Sequence, residues 1–134
     1  MSYKLARQVL AKETDSFATT NSIPVAWENV SFEPATVDEY LEFFPLFGNN
    51  DDNFLVGGSK IIGVLQINVY TPINDGSFRN FELLNLLETA FDNQKFVDNT
   101  IGYKVNITNF QIGRADIQNN KYRQVVDITF QSWR

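Results

Sequence analysis

Histidine and cysteine are both absent from the 134-residue sequence. Without histidine the chain lacks the commonest general base, the commonest metal ligand and the usual partner of a serine nucleophile. Without cysteine it has no disulfide and no thiolate metal site, and it suits a reducing compartment. Long apolar runs are missing as well. No stretch approaches the roughly 18 apolar residues of a membrane span, so no membrane is expected as a partner. The opening MSYKLARQVLAKETDSF carries charge throughout and no apolar h-region, so it does not read as a signal peptide. Two sequons, Asn29-Val30-Ser31 and Asn106-Ile107-Thr108, are therefore read as chance. Positive charge is also scarce. The formal net charge is −5, which argues against nucleic acid, and against sequence-specific binding of it, because such binding neutralises phosphates.

What is present is the composition of a globular domain: 43% hydrophobic residues, with twelve Phe, five Tyr and two Trp. A chain of this length buries roughly two thirds of its unfolded surface, enough for a core without staples. No internal repeat, linker or low-complexity segment interrupts it, so residues 1–134 are expected to form a single domain. The charge is unevenly spread. Residues 1–59 hold three basic and nine acidic side chains, whereas residues 60–134 hold eight and seven. Sampling alone readily gives such an imbalance. The functional reading is a molecule with two differently charged faces, as a head-to-tail ring subunit has.

Residues 2–18 have helical periodicity, with Tyr3, Ala6, Leu10 and Phe17 on one face. Ile23-Pro24 then forces an extended entry into a short strand, Val25–Trp27. Glu39–Phe47 alternates, but Pro45 demotes it to an edge strand or a strand with a bulge. The segment Gly48–Gly58, GNNDDNFLVGG, reads as a long acidic loop. Lys60–Thr71 is the clearest strand. A turn cluster around Asn74-Asp75-Gly76 follows, and Asp75 or Ser77 is placed to cap a helix from Phe78 to Asp92. That helix carries Phe or Leu on both faces and is expected to be heavily buried. Gln94–Gly102 reads as a connection. Tyr103, Val105 and Ile107 alternate, and the phase then slips to Phe110 and Ile112, which calls for a β-bulge near Asn109. Asp116–Asn120 reads as a polar turn before a last strand, Tyr122–Trp133. The expected fold is α+β: a mostly antiparallel four- to five-stranded sheet with two helices packed on one face.

Chemical motifs fail when tested. Asn49–Asn53 looks rich in oxygen ligands, but read as a calcium loop it has Phe54 and Lys60 where a glycine and a bidentate glutamate are needed. Gly57-Gly58-Ser59-Lys60 resembles the end of a phosphate loop, yet a strand and not a helix follows it. Carboxylate pairs such as Glu39 with Glu42, or Glu82 with Glu88, have no spacing that marks them above a solvated face. Lys121-Tyr122-Arg123 is too short for a nucleic-acid platform. No catalytic, cofactor-binding or metal-binding residue is therefore expected. Two aromatics stand outside the core stripes. Phe54 lies in the acidic loop, and Trp133 lies off the Val126–Ile128–Phe130 face beside Arg134. Exposed aromatics and arginines are what interface centres use, and packing against the domain's own edge is the alternative for both.

Taken together, several segments resemble the tail terminator family of long-tailed phages and their prophages. An N-terminal helix precedes Ile23-Pro24-Val25-Ala26-Trp27-Glu28-Asn29-Val30-Ser31-Phe32, then Glu33-Pro34. The strand Gly63-Val64-Leu65-Gln66-Ile67-Asn68-Val69-Tyr70 ends in Thr71-Pro72, with Asp75-Gly76 behind it. After a helix, the chain closes with a strand holding Tyr122-Arg123 and ending in Gln131-Ser132-Trp133-Arg134. The loop at 48–58 varies within the family. The resemblance implies a structural virion protein, not an enzyme, with no cofactor. It implies a hexameric ring that caps the tail tube at its head-proximal end, ends polymerisation and offers the head-docking surface. Its partners would be other copies of itself, the major tail tube protein and the head–tail connector, with assembly in the host bacterial cytoplasm. The opposed charges of the two halves nominate Asp51, Asp52 and Phe54 for a ring or tube interface, with Arg114, Arg123 and Arg134 as charge partners. Two other readings stay open: another head–tail joining or adaptor protein, and a small-molecule-binding α+β domain with a pocket between sheet and helices.

Overall fold

The computed structural model describes residues 3–51, 60–74 and 76–133, with the side chains of 49–51 excepted. Helix α1 spans Tyr3–Thr20 and buries Ala6, Val9, Leu10, Thr14, Phe17 and Ala18, the face its periodicity marks. It ends in a Schellman-type cap: the Ile23 N–H donates to the Ala18 carbonyl at 2.9 Å and the Ser22 N–H to that of Thr19 at 3.3 Å. Ser22 takes the left-handed backbone, φ 56°, where glycine is usual. Strand β1 follows at Val25–Trp27, then a 3-10 turn at Pro34–Thr36 and strand β2 at Tyr40–Asp51. Strand β3 is Lys60–Pro72, helix α2 Phe78–Phe91, β4 Lys95–Asp98, β5 Tyr103–Gln118 and β6 Lys121–Trp133.

The sheet is larger than expected. It has six strands in the order β1-β2-β3-β6-β5-β4, and it is mixed because β1 runs parallel to β2. The other pairings are antiparallel. The additional strand is β4, which lies in the stretch expected to be a connection. Its four residues alternate Lys95 and Val97 with Phe96 and Asp98 and carry too little apolar pattern to announce themselves. Both helices pack on one face, over a continuous core that includes Leu10, Leu65, Ile67, Leu87, Val105, Val126, Ile128 and Phe130, all fully buried.

Gly63 marks where that core is tightest. A Cβ there would stand 2.5 Å from the Leu46 carbonyl oxygen and 2.7 Å from the Phe130 ring. The position therefore admits glycine because backbone and ring approach so closely.

Helix α2 departs from expectation. Its inner side buries Asn80, Leu83, Leu84, Leu87 and Phe91. Phe78 and Phe81 are 79% and 51% exposed, so the helix is not heavily buried on both faces. It meets the sheet on one side, and the phenylalanines on the other side face solvent. Ser77 is the N-cap but makes no side-chain cap hydrogen bond, and Asp75 lies outside the described residues.

Pro45 sits as its chemistry requires. The Leu41 N–H donates outward to the carbonyl of Pro24, the residue before β1, at 3.0 Å. Outward and inward residues alternate along an antiparallel strand, so 43, 45 and 47 also face away from β3. Strand β1 covers only Leu41–Phe43, so among the described residues no strand pairs with the outer side of Pro45, and its missing N–H breaks no ladder bond. The register then shifts between Phe47 and Asn50, so this strand is both an edge and bulged.

Candidate assembly surface

The β5–β6 hairpin projects beyond the helices. Along β5, Tyr103, Val105 and Ile107 are buried, whereas residues 108–118 are exposed or half-buried. The register shifts twice, between Ile107 and Asn109 and between Ile112 and Ala115. The first shift is the bulge the phase slip calls for. The tip closes with Asn119-Asn120, both at positive φ of 52° and 59°, the geometry of a two-residue type I′ hairpin. Asp116–Gln118, expected to be part of the turn, thus still belong to the strand.

Polar ties hold the hairpin. The Arg123 guanidinium donates two hydrogen bonds to Asp116, at 2.8 and 2.7 Å. Gln124 Nε2 donates to the carbonyls of Gly113 at 2.6 Å and Arg114 at 3.2 Å, serving the backbone groups that the second bulge frees. Asn119 Nδ2 donates to the Tyr40 hydroxyl at 3.2 Å and so anchors the tip to β2.

These ties continue across the sheet face opposite the helices. Tyr40 and Tyr70 stack with ring centroids 4.2 Å apart, and Phe32 lies against Tyr40 at 4.8 Å. Glu42 Oε1 accepts from the Tyr70 hydroxyl at 2.6 Å and from Asn68 Nδ2 at 3.0 Å. Gln66 Nε2 donates on to Asn68 Oδ1 at 3.1 Å. Burial, with the Glu42 carboxylate accepting the phenol proton's hydrogen bond, holds the Tyr70 pKa far above that of a free phenol. Burial likewise raises Tyr40. This is a positioning network in which both phenols stay protonated at neutral pH. Among the described residues no three His, Cys, Asp or Glu side chains converge as a metal site requires.

The nominated residues fall in different places. Arg123 is occupied by Asp116. Arg114 is exposed beside the second bulge, close enough that its charge helps lower the Asp116 pKa, after the larger effect of the Arg123 hydrogen bonds. Trp133 is half-buried at the end of β6, with the Lys95 ammonium 5.6 Å from its ring centre. The Asp51 backbone pairs with Lys60, and its side chain lies outside the described residues. Asp52, Phe54 and Arg134 also lie outside them. Sequence reasoning missed the exposed apolar residues Ile112 and Ile117 of β5, 45% and 65% exposed, and Phe78 of α2. Phe78 and Ile112 read as core by periodicity and Ile117 as part of a turn. Ile112 is exposed although Val126 opposite it is fully buried, because the helix layer does not extend sideways over this part of β5.

An open sheet with a projecting hairpin and apolar residues in solvent defines a component that acts through contact with other proteins. Residues 6–130 match the family described as phage tail terminator protein, and the chain belongs to that family of phage structural proteins. One solved chain, whose name states no function, is 26% identical with a TM-score of 0.70 over 99% of this chain and 95% of its own. A chain from the virion of a native gene transfer agent particle shares the fold, with a TM-score of 0.55 and 14% identity over 98% of each chain. No curated protein matches the chain.

Proposed function

We propose that this chain forms a ring, six copies strong, that caps the tail tube at its head-proximal end, stops tube growth and presents the surface to which the head connector docks. Membership of the tail terminator family supports the role. The shared fold of a chain within a gene transfer agent virion supports placement in a particle. The observation that supports ring closure is the strand order: among the described residues no strand pairs with the outer side of β1 or with β5 beyond its β4-covered segment, and these two edges lie on opposite sides of the sheet. A contact between two different surfaces of one chain repeats around an axis, as a ring requires. A tube subunit recognises the surface it exposes, so growth continues. A terminator must present a different surface on its far side.

In this reading Asp51, Asp52 and Phe54 meet the neighbouring ring or tube, while Arg114, Trp133 and Arg134 supply contacts from the basic half. Arg123 holds the hairpin that carries Arg114. The reading is tested by electron microscopy of particles made without this chain. Overlong tails lacking heads are expected, and tails of normal length joined to heads would refute it. Tails of normal length without heads would mark a joining protein that acts after termination. Asp51→Lys with Asp52→Lys tests the loop, since normal rings and tails in that variant would remove it from the interface.

A further inference from the structure

We infer that the ring closes by strand addition: the free segment of β5 in one copy pairs antiparallel with β1 of the next, so that the sheets become continuous around the ring. The inference rests on the ring reading above and names the two surfaces that meet.

The outward backbone of β5 follows from its ladder. The Ile107 N–H donates to the Gln94 carbonyl at 2.8 Å, so Ile107 faces away from β6. Alternation through the two bulges makes Phe110, Ile112, Ala115 and Ile117 face outward as well. Strand β4 covers β5 only over Tyr103–Asn106, so among the described residues no strand pairs with these four. Their side chains all lie on the helix side of the sheet and none is charged. A long apolar strand edge of this kind is a template for another strand.

The opposite edge offers its counterpart at the same level. Val25 is level with Leu41, Leu41 with Val69, Val69 with Gln124 and Gln124 with Ala115. Trp27 is level in the same way with Phe43, Ile67, Val126 and Ile112. One rotation about an axis along the strands therefore sets Val25 beside Ala115, and Trp27 beside Ile112, of the next copy. Such a rotation preserves strand direction relative to the axis, which makes the new pair antiparallel. Pro24 already spends its carbonyl on Leu41, so Val25 is the residue of β1 whose N–H and C=O both face outward.

Packing agrees with that register. A groove of about 390 Å³ runs beside β1, lined by Ala18, Ile23, Pro24, Val25 and Trp27, with one carboxylate, Asp15. Ile112 and Ile117, on the helix side of the sheet, supply apolar side chains to fill it. The continuing edge of β2 is an unsuitable partner, because Pro45 withholds a donor from it and a bulge follows. Two β5 edges meeting about a two-fold axis would bring Arg114 near its own copy.

The absence of cysteine makes the test clean. Val25→Cys with Ala115→Cys is treated with a short bis-maleimide, alone and with purified tails, and run on a denaturing gel. The expected product is a ladder of multiples ending in one closed species, absent from either single variant. Native mass spectrometry of the wild-type chain under the same conditions separates the two failures. A wild-type ring without a ladder overturns the strand pairing and leaves the ring reading standing. No ring in any condition overturns both. Dimers from Ala115→Cys alone overturn the proposal in favour of a two-fold β5 contact. Ile112→Pro removes one outward donor without touching the β6 ladder and is expected to lower ring yield about tenfold or more, the effect of about 1.4 kcal/mol on one contact. Ile112→Lys serves the same purpose if the proline variant does not fold. Full ring yield in a folded variant of either kind overturns the pairing.

Discussion

Arg123 grips Asp116 through two hydrogen bonds, 2.8 and 2.7 Å long, across the hairpin that projects past the helices. Those bonds, with the positive charge behind them, pull the Asp116 pKa below its ordinary 3.8. A carboxylate depressed in the folded state favours folding above its unfolded pKa, and that contribution is lost as the pH falls through the folded value. The hairpin amides are therefore expected to lose protection below about pH 3.8 while the core holds. Asp116→Asn should loosen the same amides at neutral pH. Hydrogen exchange followed by NMR checks both, and unchanged protection of residues 117–122 would show that the pair does not hold the arm.

The Tyr70–Glu42 bond gives a prediction at the other end of the pH scale. The Tyr70 and Tyr40 phenols are held above their ordinary pKa of 10.0. A group whose pKa is raised by folding stabilises the fold below its unfolded pKa, and that stabilisation is lost as pH rises toward the folded value. Stability should therefore decline above about pH 10. Tyr70→Phe removes the donor to a half-buried carboxylate and should cost about 2 kcal/mol at pH 7, the scale of a hydrogen bond to a charged group. Urea denaturation measures it, and a variant as stable as wild type would show Glu42 satisfied by Asn68 alone.

Gly63→Ala tests the tight point of the core. The new methyl would press on the Leu46 carbonyl and the Phe130 ring at distances no relaxed Cβ adopts. A loss of about 1–3 kcal/mol is expected from overpacking. The urea midpoint should fall, and Gly63→Ala combined with Phe130→Leu should recover part of the loss if the ring is the obstacle.

Pro45→Thr restores an outward N–H to the open part of β2. The fold should keep its stability to within about 0.5 kcal/mol, as for a surface change. Association should increase, because the edge then offers a full donor and acceptor pattern. Light scattering against concentration detects it, and unchanged scattering would show that the bulge alone guards this edge.

Much of this was legible from side-chain order. The two helices, the strand at Val25–Trp27, the bulge near Asn109 and the double character of the Pro45 strand all follow from local periodicity and proline chemistry. The α+β class and the family resemblance were legible for the same reason. What was not legible depends on distance along the chain. Strand β4 is too short to show a period, and its pairing with β5 decides its state. Asp116 looks like a turn residue until Arg123, on the returning strand, claims it. Phe78 and Ile112 carry the pattern of buried residues and Ile117 that of a turn, because where the helix layer ends over β5 is set by packing between distant segments. The order of strands in the sheet, on which the opposed edges depend, has no local signature at all.

That order also sets a schedule for folding. The middle of the sheet joins β3 to β6, with Ile61 opposite Ser132 and Pro72 opposite Lys121, so its ladder spans some of the longest separations in the chain. On a ribosome β3 must wait, one side bare, until β6 has been made. A truncation within β6 consequently removes the centre of the sheet and separates β1-β2-β3 from β5-β4, where the loss of a marginal strand would have left the rest intact.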